Sequence, residues 1–293
     1  MKKNQRTFIP GTKWLYLKLY CGVKIADEIL VEVIHTTVNK LKKDDFLEKW
    51  FFIRYADPEP HLRVRLLLKN EQDVGYVINT FSKQFRKKER ENQIHRIQLD
   101  TYSRELERYG KNLIENAESI FYIDTECTLK IIKKLFFYNN ENYRWMISLI
   151  MIDCFLTNFS INLSEKQKII TRMSNNFKME FGFNEYNLKQ FNKKFREQKQ
   201  TVEGVLNNNI SDKNFLSLCL PIKKRSQMLL PLISQIKSNI RKNIELEDLL
   251  SSYIHMMINR LFRTRNRVHE LIIYDFMHRY YDSKIAQIKY NSR

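Results

Sequence analysis

Trp50-Phe51-Phe52-Ile53-Arg54-Tyr55-Ala56-Asp57-Pro58-Glu59-Pro60-His61-Leu62-Arg63-Val64-Arg65-Leu66-Leu67-Leu68 holds two extended runs joined by a stiff connector. Aromatic residues crowd Trp50–Tyr55, Asp57-Pro58-Glu59-Pro60 has turn composition, and His61–Leu68 is extended again. Side chains alternate along a strand, so His61, Arg63 and Arg65 share one face while Leu62, Val64 and Leu66 share the other. Upstream, Leu15, Leu17 and Leu19 alternate with Trp14, Tyr16, Lys18 and Tyr20, the pattern of a half-buried strand. Downstream, Ile94–Asp100 predicts a further strand, with Ile97 and Leu99 alternating against Gln98 and Asp100. Ile25, Ile29, Leu30, Val33, Val38 and Leu41 recur at helical spacing, and a charged helix is expected near Asn70–Glu91. The first third therefore reads as mixed α/β.

From about Ser103 the apolar period lengthens to that of a helix, as in Leu106, Leu113, Ala117, Ile120 and Phe121. Tyr143–Phe159 predicts a more buried helix, and Ser164-x-x-Gln167 fits a capping box opening another. Asn207-Asn208-Asn209 looks like a loop tip, and Pro221 and Pro231 are expected at connections or in a first helical turn. The predicted class is α+β within one compact domain over 1–293. An N-terminal mixed sheet part (1–102) is followed by a mostly helical part (103–293).

Composition bounds the function. The 293 residues are 43% hydrophobic and 13% aromatic, enough apolar surface to offset the entropy of ordering, so a disordered chain is excluded. Six Gly and five Pro exclude collagen-like and linker-rich architectures. Lys and Arg number 51 against 33 Asp and Glu, a formal net charge of +18 that suits an anionic partner: nucleic acid, an acidic peptide or a membrane surface. Cys21, Cys127, Cys154 and Cys219 form no C-x-x-C pair and read as single buried thiols. Pro10, Lys13 and Lys18 interrupt any export signal, and Asp153 and Asn158 interrupt the most apolar window, Trp145–Leu163, so a soluble cytoplasmic protein is expected.

Three segments carry candidate chemistry. On the His61-Leu62-Arg63-Val64-Arg65 strand, two guanidiniums on one face suit a carboxylate or phosphate, since each planar fork donates two charge-assisted hydrogen bonds; a solvated strand face gives the same spacing. In Asp100–Gly110, a helix starting near Ser103 would set Glu105 and Arg108 at i,i+3. They would then pair or line a pocket where a strand runs into a helix N-terminus. In Ser251–Arg260, an apolar stripe of Leu246, Leu249, Leu250, Tyr253, Met257 and Leu261 leaves Ser251, Ser252, His255 and Asn259 on the opposite side. His255 is then either solvated or a general acid/base candidate on a second surface. No H-E-x-x-H, P-loop, G-x-G-x-x-G or G-x-S-x-G occurs, and no metal is assigned.

Taken together, Trp50–Arg65, Leu99–Gly110 and His255-Met-Met-Ile-Asn-Arg-Leu-Phe262 resemble the C-terminal domain of lantibiotic dehydratases, a family that includes stand-alone thiopeptide biosynthesis proteins. The Trp14 strand and Ala117–Phe121 fit as well, so the resemblance spans nearly the whole chain. One departure is Arg263, where the family commonly has glycine. In full-length members an N-terminal domain transfers glutamate from glutamyl-tRNA to peptide Ser/Thr, and the C-terminal domain eliminates it, leaving dehydroalanine or dehydrobutyrine. The resemblance implies the elimination component of a split dehydratase, a lyase acting on a ribosomally made precursor peptide beside a separate tRNA-dependent glutamylating partner.

By motif the elimination residues fall on Arg63, Arg65, Glu105, Arg108 and His255, with His61, Tyr102, Asn259 and Arg260 expected to bind substrate. The arginines would stabilise anion and enolate, Glu105 would orient an arginine and His255 would be the general acid/base; which group removes the Cα proton stays open. No cofactor or metal is implied, and homodimerisation is open. Two alternatives stand beside this reading. One is the related pyridine-forming [4+2] cycloaddition of thiopeptides with leader release. The other is a non-catalytic basic peptide- or RNA-binding module, for which no RNP-like motif is present.

Overall fold

The computed structural model describes residues 5–240 and 243–291, with side chains described from 245 onward in the second span. Two compact units emerge. The first comprises the chain through Lys133 together with Gln235–Asn239 and Asn259–Thr264; the second comprises Lys134–Ser234, Ile240–Ile258 and the chain from Arg265.

In the first unit the quoted stretch forms an antiparallel hairpin, β3 (Leu47–Ala56) and β4 (Pro60–Leu68), on one side of a four-stranded sheet of order β3-β4-β2-β5. The central β2 (Trp14–Cys21) and the edge strand β5 (Ile94–Asp100) complete it, and β1 (Thr7–Phe8) pairs separately with β6 (Tyr102–Ser103). One face of the sheet carries Leu15, Leu17, Leu19, Trp50, Phe52, Leu62, Val64, Leu66 and Leu68. These pack in one core with the helical run α1 (Val23–Glu28), a π-helical segment Ile29–Ile34 and α2 (His35–Lys43), and with α3 (Val74–Arg90). Each such fully buried aliphatic side chain contributes roughly 1.5–3 kcal/mol, so this seam fixes the strand register.

The expected half-burial of β2 is not what the structure has: both of its faces are covered. Trp14 packs edge-on against Phe51 and Tyr102 at 5.6 and 5.3 Å, and Tyr16 and Tyr20 are buried as well. Aromatic bulk on the alternate positions allowed this second layer. On β5 the reverse holds, with Ile97 and Leu99 41% and 44% exposed at the edge of the sheet.

After β6 the helical stripe expected from Leu106 onward is broken. A single turn, α4 (Leu106–Tyr109), ends at Gly110, whose φ of 78° is left-handed, and the long α5 begins only at Ile114 and runs to Tyr138. In the second unit, α6 (Asn142–Asn158), α7 (Leu163–Glu180) and α8 (Glu185–Leu206) bury Ile147, Met151, Phe155, Ile170 and Val202 among them. The capping box of α7 belongs to Asn162 rather than Ser164. The Asn162 side chain accepts from Glu165 N at 3.0 Å and Glu165 accepts from Asn162 N at 2.9 Å.

Pro221 and Pro231 also depart from expectation, since both lie inside α9 (Lys213–Asn239). A proline in a helix interior costs about 3 kcal/mol. Phe215, Leu218 and Ile222, and then Leu229, Ile233 and Ile236, each set buried at i,i+3/i+4 spacing, outweigh it. The chain closes with α10 (Asn243–Leu261) and α11 (Asn266–Asn291). All four cysteines are free thiols. No helix among the described residues is long and apolar enough to cross a membrane.

Candidate active site

The face of the sheet opposite the core seam is laid out by strand register. Across β3, β4 and β2 run the rows Tyr55-His61-Tyr20, Ile53-Arg63-Lys18 and Phe51-Arg65-Tyr16, with Arg96, Gln98 and Asp100 of β5 continuing them. Cationic positions on this face are therefore each flanked by rings or by a carboxylate. The Arg63 guanidinium stacks 3.4 Å above the Tyr55 ring, and its Nε donates to His61 Nε2 at 3.1 Å. Arg65 sits among Tyr16, Tyr102 and Phe51 at 4.7, 4.8 and 5.4 Å from their centroids. Its Nε is buried and has no hydrogen-bond partner among the described residues.

Between them the Lys18 ammonium is paired with Asp100. That hydrogen bond raises the Lys18 pKa against its burial, and the bonds from Lys18 and Thr101 N outweigh burial to lower that of Asp100. Burial raises the Tyr16 phenol, opposed by Arg65, Arg63 and Lys18.

His61, expected to bind substrate, is buried at 3% exposure between Tyr20 and Tyr55, its Nδ1 donating to the Glu59 carbonyl at 2.8 Å. Tyr102 is buried too, and its hydroxyl donates to Glu118 Oε1 at 2.9 Å. The same carboxylate takes a bidentate pair of bonds from Arg104, both at 2.7 Å, so the Tyr102 hydroxyl belongs to a buried network.

Glu105 and Arg108 pair at 3.4 Å, 62% and 37% exposed, at the two ends of the α4 turn. The longer helix expected from Ser103 is absent, and a single turn has too little macrodipole for the anticipated helix-end anion site. The Arg108 guanidinium lies 5.6 Å from the ring centroid of the buried Tyr109. Burial pushes its hydroxyl up to about 12, and Arg108, Glu105, Arg260 and Arg65 all act on it electrostatically. Tyr109 is a buried phenol that sequence reasoning did not single out.

Asn259 and Arg260 seal the free edge of β3. The Asn259 amide accepts from Arg54 N at 2.8 Å and donates to Arg54 O at 2.9 Å, as a neighbouring strand would. Arg260, fully buried, donates from Nε to Phe52 O at 3.0 Å and lies 3.8 Å from Asp124 and 4.8 Å from the Phe121 centroid. Burial lowers its pKa to about 10, with Asp124 opposing. Arg263, the departure from the family pattern, donates to Asp27 at 2.6 Å, the buried carboxylate that also pairs with Arg54.

In the second unit His255 lies on α10 with buried Tyr253, Ile254, Met257 and Ile258 around it and is itself 27% exposed. Its Nδ1 is 2.9 Å from Oε1 of Glu270, which is completely buried and also accepts from the Tyr274 hydroxyl at 2.9 Å. Burial, reinforced by Glu270, holds the Tyr274 pKa well above its ordinary value. A carboxylate on Nδ1 fixes the tautomer and leaves Nε2 for chemistry. Glu270 escaped the sequence reading. Its one signal was a lone acid ahead of the apolar run Leu271-Ile272-Ile273-Tyr274. Among the described residues no group of three or more His, Cys, Asp or Glu is placed to hold a metal.

Comparison with known proteins gives the family of the chain. The family model of the lantibiotic biosynthesis dehydratase C-terminal region matches residues 14–281. The subtilin biosynthesis protein SpaB of Bacillus subtilis is 25% identical over 277 residues, covering 92% of this chain and 26% of that protein. The tRNA-dependent lantibiotic dehydratase MibB from Microbispora sp. 107891 superposes with a TM-score of 0.73 at 16% identity, over 92% of this chain and 28% of that one. The pyridine synthase TbtD from thiomuracin biosynthesis gives 0.66 at 9% identity, over 94% of this chain and 100% of that one. The chain spans about a quarter of the length of the curated relative it matches. With the family model running from the first long strand nearly to the end of the last helix, the chain belongs to the lantibiotic biosynthesis dehydratase C-terminal family.

Proposed function

We propose that this protein catalyses glutamate elimination from O-glutamylated Ser and Thr of a precursor peptide, giving dehydroalanine and dehydrobutyrine. A base takes the Cα proton, its electron pair forms the Cα–Cβ double bond, and the Cβ–O bond breaks so that glutamate leaves as a carboxylate. The reaction needs a base, donors for an enolate-like carbonyl oxygen and donors for the departing carboxylate. His255, with Glu270 on its Nδ1, is the base through Nε2. Arg63, Arg65 and Arg108 supply the donors, with Glu105 orienting Arg108. Asn259 and Arg260 hold the β3 edge beneath this face, and Tyr102 walls Arg65.

The observation that carries this reading is Arg65, a half-buried guanidinium held among three aromatic rings on the same sheet face as Arg63, so that two cationic forks suited to developing anions stand on one face. Glutamylation of the peptide must precede this step, and a tRNA-dependent glutamylating activity is the partner reaction. The +18 charge suits an acidic peptide or a tRNA-bearing partner.

A second reading, pyridine-forming cycloaddition, is favoured by one fact: the match spans the whole of TbtD. Mass spectrometry of an O-glutamylated precursor incubated with the protein separates the readings. Loss of glutamate with dehydro residues left behind supports elimination. A macrocycle formed from an already dehydrated peptide, with leader release, supports cycloaddition, and an unchanged peptide in both assays leaves a binding module.

A further inference from the structure

We propose that His61 is a positioning residue: a neutral imidazole whose Nε2 lone pair holds Arg63 by its Nε–H and presents the terminal nitrogens of that guanidinium to the leaving carboxylate. The tautomer follows from the partners. A carbonyl only accepts, so the 2.8 Å contact to Glu59 O requires a proton on Nδ1. An arginine Nε–H only donates, so the 3.1 Å contact to Arg63 requires a bare Nε2. An imidazolium would set two N–H groups against each other on the Arg63 side. Burial lowers the His61 pKa; the Glu59 carbonyl opposes this, and Arg63, Lys18 and Arg96 add to it, so the neutral form is favoured.

The ring is held in place by Tyr20 at 4.7 Å and Tyr55 at 5.5 Å. Tyr55 also stacks 3.4 Å beneath the Arg63 guanidinium. Arg63 is thereby fixed by a face and by one edge. Its Nε is committed, and its two terminal nitrogens form the edge that a carboxylate can bridge. Arg65, two residues along the same face, has the opposite arrangement, with its Nε unpartnered. Arg63 is thus the guanidinium whose presenting edge is set by its neighbours, which suits it to the carboxylate. His61, buried at 3% exposure, acts through Arg63 and does not touch the peptide.

The idea rests on the elimination reading, and its test separates the two. Chemically O-glutamylated peptide is turned over by wild type, His61→Phe, which keeps a ring between the tyrosines but has no acceptor, and His61→Gln, whose amide oxygen restores one. The expected result is a kcat lowered tenfold or more in H61F with KM within about threefold, and a kcat within threefold of wild type in H61Q, all three melting alike. Unchanged kcat in H61F overturns the proposal, as does an H61Q variant that folds but is as slow as H61F. In parallel, two-bond ¹H–¹⁵N correlation spectra of the wild-type imidazole at neutral pH should show Nδ1 protonated and Nε2 bare. The other tautomer, or an imidazolium, overturns the proposal whatever the activity. A wild type that shows the expected tautomer but never releases glutamate sinks the elimination reading and leaves the His61–Arg63 contact supported.

Discussion

At the scale of single residues, the account turns on which polar atoms are committed and which are left over. Glu270 has none of the exposure of an acid that binds substrate; its Oε1 serves the His255 Nδ1 and the Tyr274 hydroxyl, and its Oε2 lies 3.6 Å from Arg267. Replacing His255 by Ala should lower kcat for elimination by about 10²–10⁴-fold, the range for a lost general acid/base. Glu270→Gln keeps the volume and should lower kcat by a smaller factor while shifting the pH profile, because an amide no longer fixes the imidazole tautomer by charge. Stopped-time assays across pH measure both; an E270Q profile superimposable on that of wild type would contradict the role. The arginines and His255 entered as candidates because the family resemblance names those positions, while spacing alone fits a solvated face as well. Glu270 did not, because its partner lies fifteen residues away on another helix and only packing reveals the pair.

At the scale of elements, β3 shows how a sheet edge is closed without another strand. Both backbone groups of Arg54 are answered by the one Asn259 amide. Asn259→Ala leaves them unanswered and should destabilise the protein by about 1–3 kcal/mol, read as a lower urea midpoint, whereas Asn259→Asp should recover only the bond from Arg54 N. No loss in N259A would mean that the edge finds other partners.

The strands were readable from alternation, since a period of two survives in β2, β4 and β5 whatever covers them. Their burial was not readable, because Trp14 is covered by Phe51 and Tyr102, Tyr16 by Arg65, and Tyr20 by His61 and Arg96, all from other segments. The same limit applies to helix ends. Gly110 breaks a stripe that looks continuous in sequence, while two prolines fail to break α9 because burial along it wins.

At the scale of the whole molecule, charge sets the response to pH. Burial lowers the pKa of His61, His269 and His278, each against or alongside neighbouring charges. The unfolded chain takes up these protons at the ordinary value near 6.5, before the folded protein does, so stability falls as pH drops from about 6.5 through the depressed folded values. Asp100, Glu126 and Asp212 have pKa values held below the ordinary carboxylate range, so a second loss follows below about pH 4. Urea unfolding at pH 7.5, 5 and 3 should show both steps; stability rising between 7.5 and 5 would contradict the first.

In the proposed elimination glutamate leaves by Cβ–O cleavage, and oxygen labelling reads that bond directly. An O-glutamylated Ser peptide is incubated with the protein in H₂¹⁸O, and both products are weighed. The account predicts dehydroalanine in the peptide and one equivalent of free glutamate containing no ¹⁸O, because its carboxylate keeps both original oxygens. Glutamate carrying ¹⁸O with serine restored, the signature of ester hydrolysis, would contradict it.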